Sequence, residues 1–211
     1  MRSIKKSINM KSVTIQGEAR EAIGKKASKA DRNTEKIPCV VYGRKDSVHF
    51  TTTKHDLRPV LFTPEFKIVN IEMGGKSYRA ILKDVQFHPV NDEIRHVDFL
   101  MLYDGIPVKV ELPLTTEGAS PGVKSGGRLI QSVRKIKVKS LPENLVDELK
   151  VNIGTLKLGQ SLRIKDITAV QGVEIIPNPS IPVVSVLTPR ALKAGGAVAE
   201  ESDDAEGESE E

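Results

Sequence analysis

The sequence predicts a mainly β protein: an N-terminal six-stranded antiparallel β-barrel with two short helices, a C-terminal second β domain, and a disordered acidic tail. Three observations carry this. Apolar and polar residues alternate with period two in both halves of the chain, the pattern of strands with one buried face, and long helical periodicity is absent. All eight aromatic residues lie at or before position 103, just ahead of the turn sequence Asp104-Gly105-Ile106-Pro107. Beyond Arg190 the chain is mostly Ala, Gly, Glu, Ser and Asp, too poor in apolar side chains to offset the entropy of ordering. The expected division is 1–10 as an N-terminal extension, 11–103 and 104–190 as the two domains, and 191–211 as the tail. Met10 could itself be a start, which would put residues 1–9 outside the fold.

The expected strands of the first half are Val13–Gln16, Cys39–Tyr42, Val48–Thr52, Phe66–Met73, Ser77–Phe87 and Ile94–Tyr103. Met73-Gly74-Gly75-Lys76 reads as a tight hairpin, because two glycines supply the positive φ that primed turns need. One helix is expected over Lys25–Glu35, a run of good helix formers without Gly or Pro. A second starts at Thr53, with Asp56 three residues on completing a capping-box pattern. In the second half Val108, Val110, Leu112 and Leu114 alternate with Lys109, Glu111, Pro113 and Thr115, and Ile136 and Val138 with Lys135, Lys137 and Lys139. Further strands are expected at Leu149–Ile153, Leu162–Ile164, Val173–Ile176 and Val183–Leu187. The Gly- and Ser-rich run 118–127 reads as a mobile loop.

Charge is unevenly placed. The formal total is +4, yet residues 1–102 carry +7, residues 103–193 carry +5 and the last 18 residues carry −8. The folded part is thus strongly basic, which favours a polyanionic partner. The tail could screen that surface against non-specific RNA. No apolar run of about 18 residues exists to span a membrane, and the N-terminus lacks the continuous apolar stretch of a secretory signal. The expected location is the cytoplasm.

Enzymatic chemistry finds no support. Cys39, the single cysteine, sits between Pro38 and Val40-Val41, the setting of a buried thiol that behaves as a small hydrophobe. His49, His55, His88 and His96 show no paired metal-ligand spacing, so no metal site and no cofactor are expected. Neither a phosphate-cradling glycine loop before a helix nor a serine nucleophile elbow is present. A hydrolase or metal enzyme built on Cys39 or the histidines would require a reactive native thiol or bound zinc.

Binding features are richer. Six cations fall between Arg20 and Lys36, and Lys25, Lys29 and Arg32 occupy one helix face with Ser28 beside it. Such a stripe suits a phosphate backbone, since each cation displaces condensed counterions; an ordinary solvated helix face is the alternative. On the strands, Val97, Phe99 and Met101 point one way and His96 and Asp98 the other; Val85 and Phe87 turn inward and leave Gln86 outward. If the two segments pair, one sheet face presents Gln86, His96 and Asp98, groups able to bond base edges and 2′-hydroxyls. A plain polar outer face is again the alternative, as it is for the Lys135, Lys137 and Lys139 row.

At these residues the chain resembles a known family. Gly24-Lys25-Lys26-Ala27-Ser28-Lys29, Ile37-Pro38-Cys39-Val40-Val41-Tyr42-Gly43, Lys83-Asp84-Val85-Gln86-Phe87-His88-Pro89 and His96-Val97-Asp98-Phe99 are similar to the bacterial large-subunit ribosomal protein 25 family. Gly126-Gly127-Arg128-Leu129 and Ser140-Leu141-Pro142 resemble its long, two-domain general-stress (CTC) form. The resemblance implies a non-enzymatic structural constituent of the 50S subunit. Its partners would be 5S rRNA and neighbouring 50S components, with no membrane and no small-molecule substrate. It implies that the barrel lies against loop E of the RNA. Arg20, Lys25, Ser28, Lys29 and Arg32 would meet phosphates and sugars, and Tyr42, Gln86, His96 and Asp98 would reach the groove. Ala30 and Asp31 depart from the family's more basic pattern and make the helix less cationic. An RNA-binding stress or assembly factor of anticodon-binding-like barrel type, acting off the ribosome, is the alternative reading.

Overall fold

The computed structural model describes residues 10–44, 47–168 and 172–189; residues 1–9 of the extension expected over 1–10, and the tail expected over 191–211, lie outside the described residues. Packing divides the chain into two compact units. One falls within Met1–Pro113, Lys137–Glu148 and Ala169–Ile176, and the other within Leu114–Ile136, Leu149–Thr168 and Pro177–Glu211.

Residues 12–101 form one seven-stranded sheet from β1 (Ser12–Gln16), β2 (Glu18–Ala19), β3 (Lys36–Tyr42), β4 (Ser47–Thr53), β5 (Ile68–Met73), β6 (Lys76–Phe87) and β7 (Ile94–Met101), in the order β1-β5-β6-β7-β3-β4-β2. The sheet is mixed where a purely antiparallel one was expected. β1 runs parallel to β5 and β3 parallel to β7, while the remaining neighbours are antiparallel. The seventh strand is the two-residue β2, too short to show in an alternation pattern.

One segment closes this sheet. β1 lies on one edge and β2 on the other, and only Gly17 separates them in the chain. Gly17 N–H donates to the Glu72 carbonyl on the β5 side, and Thr52 Oγ1 donates to the Gln16 carbonyl from the β4 side, both at 2.9 Å. Closure leaves no long edge whose unpaired backbone could recruit another chain. A side chain at the crossing would force its neighbours to shift, because a Cβ on Gly17 would sit 2.8 Å from both Met73 Cγ and Phe50 Cδ2.

The interior follows the expected alternation. Ile15, Cys39, Val41, Phe50, Val69, Ile71, Ala80, Val97 and Phe99 are fully buried, with the Phe50 and Phe99 rings 6.0 Å apart. At about 1.5–3 kcal/mol for each large side chain buried, this cluster is the main stabilising term of the first domain. Cys39 belongs to it, and burial pushes its thiol well above the ordinary range, with the Asp98 carboxylate adding to the effect. The thiol is therefore protonated and unreactive.

Two helices flank the barrel. α1 (Lys25–Asn33) stops short of the expected Glu35 because Glu35 itself turns left-handed, with φ 59°, while the Thr34 hydroxyl donates to the Asp31 carbonyl at 2.8 Å. α2 (Lys54–Leu61) starts as expected. Thr53 Oγ1 accepts the Asp56 N–H at 3.3 Å and donates to the Asp56 carboxylate at 2.7 Å. Gly74 and Gly75 form the tight turn with φ 52° and 82°.

Beyond residue 107 the chain is again β. β8 (Val108–Glu117), β10 (Lys135–Ser140), β11 (Leu149–Asn152) and β13 (Val173–Ile175) make a four-stranded sheet in the order β11-β8-β10-β13. β12 (Ser161–Arg163), β14 (Pro182–Leu187) and β9 (Arg128–Gln131) make a three-stranded one, with β14 central. The 118–127 run is not a free loop. It contains the short helix α3 (Pro121–Lys124), capped by a buried Ser120 whose hydroxyl donates to the Leu156 carbonyl at 2.6 Å. Gly127 packs so tightly that a Cβ would come within 2.5 Å of Leu158 and Val186.

Gly17→Ala should destabilise the protein by about 1–3 kcal/mol, the usual cost of forcing volume into a packed core. Urea unfolding followed by far-UV circular dichroism checks this; an unchanged midpoint would mean that the crossing accommodates a side chain.

Candidate nucleic-acid interface

Cross-strand register decides which side chains share the outer face. Gln86 on β6 stands opposite His96 on β7, and Asp84 opposite Asp98. On the other side of β7, the parallel pairing with β3 sets Val40 beside Asp98 and Tyr42 beside Leu100. β4 then adds His49, opposite Val40. Gln86, His96, Asp98 and Tyr42 therefore lie on one surface of one sheet, as expected, and His49 joins them.

The centre of this surface is a short bond from His96 Nδ1 to Asp98 Oδ1 at 2.6 Å, with the two side chains 30% and 28% exposed. A carboxylate only accepts, so the imidazole donates from Nδ1; in the neutral ring this leaves Nε2 as an acceptor. Asp98 keeps Oδ2 as a second acceptor. Tyr42 completes the group: partial burial raises its hydroxyl's pKa, and Asp98 and then Asp84 raise it further, so the phenol remains a donor. The face thus offers donors and acceptors side by side, the chemistry that base edges and 2′-hydroxyls require.

Two β-bulges bracket this group. Leu82 pairs with Phe99 and Asp84 with Asp98, which leaves Lys83 as an extra residue on β6. Gln86 pairs with His96 and Phe87 with Ile94, which leaves Arg95 as the extra residue on β7. Both bulged residues are exposed cations. Period-two reading passed over them, although a signal existed: inward Leu82 and Val85 are three apart, as are Ile94 and Val97. The same irregularity accounts for Phe87. Expected inside, it stands opposite buried Ile94 at the last position of β6 and is 47% exposed.

α1 carries the cationic stripe. Lys25 and Lys29 are exposed and Arg32 half-buried, and none of them has an ion-pair partner among the described residues. Arg20 differs from the others. Its side chain is only 10% exposed, its Nε lies 2.9 Å from Asp31 Oδ2, and its Nη2 donates to Ser28 Oγ at 2.8 Å. Arg20 and Ser28 hold α1 against the barrel. Asp31, which looked like a weakening of the basic helix, is the counter-ion of this anchor.

The remaining histidines carry no catalytic geometry. His88 Nδ1 accepts the N–H groups of Val90 and Asn91 at 3.2 and 3.4 Å and shapes the β6–β7 turn, with Asp92 at φ 53°. Among the described residues, no group of three His, Cys, Asp or Glu side chains could hold a metal ion.

Comparison with known proteins gives this surface its context. The Ribosomal L25p family profile matches residues 15–99, and the profile described as Ribosomal protein TL5, C-terminal domain matches residues 107–190. A protein of Christiangramia forsetii named large ribosomal subunit protein bL25 is 40% identical over 185 residues, 87% of this chain and 84% of its own. The chain belongs to the ribosomal L25p family. Proteins of the same name from Amoebophilus asiaticus and Bacteroides thetaiotaomicron are 39% and 38% identical, each over 90% of this chain and 97% and 99% of their own. The L25p match spans the closed barrel with α1, α2 and the outer face, and the TL5 C-terminal match spans the later sheets. Membership in a family of ribosomal proteins agrees with a protein that binds and does not turn over substrate.

In this L25p chain Asp31→Ala should strip Arg20 of its counter-ion and loosen α1. The expected result is faster amide exchange across Lys25–Asn33 and a stability loss of about 1–3 kcal/mol for a charged group left without its partner. Unchanged exchange would show that α1 does not depend on the pair.

Proposed function

We propose that this chain is a structural constituent of the large ribosomal subunit, located with the ribosome in the cytoplasm, and that its first domain binds 5S rRNA at loop E. The observation that carries the reading is the outer sheet face. A His96–Asp98 pair and Gln86 lie between two cation-bearing bulges, on the same closed barrel that holds the α1 stripe. Relatives named large ribosomal subunit protein bL25, alike over nearly the whole chain, supply the assembly. Loop E enters through the family resemblance.

The roles follow from chemistry. A-form RNA offers a wide, shallow minor groove lined by 2′-hydroxyls and base edges, which a sheet surface can approach without deep insertion. Gln86, with amide donors and an acceptor, and Asp98, with its unused oxygen, read hydrogen-bonding groups there; His96 is oriented by Asp98, and Tyr42 donates its phenol. Lys25, Lys29 and Arg32, with Lys26 beside them, meet phosphates. Arg20 and Ser28 act as positioning residues for that helix.

With about four phosphates neutralised by α1, log affinity should fall against log salt with a slope of about −2.8 to −3.6. Titration of labelled 5S RNA across a salt series measures it, and an affinity independent of salt would overturn the reading. Gln86→Ala should weaken binding to the loop E helix more than to a random RNA duplex. Lys29→Ala should weaken both alike. Equal losses for Gln86→Ala on the two RNAs would reduce that residue to backbone positioning. Sedimentation of the endogenous protein with the 50S particle separates a subunit constituent from a factor acting off the ribosome.

A further inference from the structure

A groove of about 1010 Å³ lies beside α2, between the C-terminal end of α1, the ends of β3 and β4, and the start of β7. Its charge is lopsided. Arg32, Lys36, Lys54 and Arg58 line it against Glu35 and Glu93. Lys36 is paired with Glu18, whereas Arg32, Lys54 and Arg58 have no ion-pair partner among the described residues. Phe62, at the end of α2, also lines the groove and is 59% exposed, an uncovered aromatic ring among free cations.

That combination has a specific chemistry. Unpaired bases stack on exposed aromatic rings while neighbouring cations hold the backbone, and the stacking tolerates any base because each has a π-face. Arg58 and Phe62 are four residues apart, which sets them on one side of α2, and a second hollow that both also line reaches Thr14 and Thr63. Arg32 belongs both to the α1 stripe and to this groove, so the basic surface is continuous from one to the other.

We propose that this groove takes an unpaired nucleotide of single-stranded RNA, with Phe62 stacking on the base and Lys54, Arg58 and Arg32 holding its phosphates. The inference rests on the RNA-binding reading above for its class of ligand, but not on loop E or on the sheet face. An acidic peptide would use the cations and leave the ring idle, which is why RNA is the occupant argued here.

Full-length protein titrated with fluorescein-labelled decauridylate tests it by anisotropy. Phe62→Ala should weaken binding about tenfold, within the range that one base–aromatic stack contributes. Phe62→Tyr should restore it. Because Phe62 is largely exposed, its replacement does not empty the core. Unaltered decauridylate affinity in Phe62→Ala would overturn the proposal. So would a polyglutamate peptide that binds the unsubstituted protein more tightly than decauridylate does, which would make the groove an acidic-peptide site. If the chain fails to bind 5S RNA yet binds decauridylate through Phe62, the loop E reading falls and the groove stands.

Discussion

A curved sheet becomes a barrel only when its two edge strands find partners, and here one run of eight residues serves both edges. Residues 12–16 lie along β5, residues 18–19 along β4, and Gly17 turns the chain between them directly above Phe50 and Met73. The approach works because glycine presents no Cβ to those side chains. Everything outward depends on it. Opening the strap would unpair β5 and β4 along one side, expose the apolar cluster, and release Arg20, which follows β2 immediately and donates its backbone N–H to the His49 carbonyl. The anchor of α1 thus begins one residue after the closure of the barrel.

From that frame the outer sheet face inherits its shape. Bulges increase local twist and re-aim side chains. The two here sit on opposite strands of one pair, so the three register positions between them, at 84–86 and 96–98, form a short regular patch with an unpaired cation at each end. The Arg20–Asp31 pair does for α1 what the strap does for the sheet. It converts a nine-residue helix, short for independent stability, into a fixed rail for Lys25, Lys29 and Arg32. The acid on this basic helix therefore has a structural partner in Arg20.

How much of this was legible in the residues follows from what kind of rule each feature obeys. Local rules read well. The Gly74-Gly75 turn, the Thr53–Asp56 cap, the buried Cys39 and the outward Gln86, His96 and Asp98 all depend on neighbours within a few positions. Long-range choices did not. Alternation shows that Val13–Gln16 is a strand but not that it runs parallel to β5, because both directions bury the same face. Phe87 was misplaced because strict period two ran past the barrel's rim, although the three-residue spacing of Leu82 and Val85 marked the first bulge. The 118–127 run looked mobile from its glycines and serines. Their smallness is what lets Ser120 and Gly127 pack inside. The Arg20–Asp31 contact could not be read from spacing, because Asp31 belongs to a different element.

The order of strands in the barrel has a consequence for how the protein is made. β7, the last strand of this sheet to leave the translating ribosome, is central: it joins the β5–β6 side to the β3–β4 side. Until it emerges the sheet is held together only at the strap and stands open between β6 and β3, with an incomplete core. His96 and Asp98 ride on β7 itself. The outer face built on Gln86, His96 and Asp98 therefore comes into being only with the strand that completes the barrel.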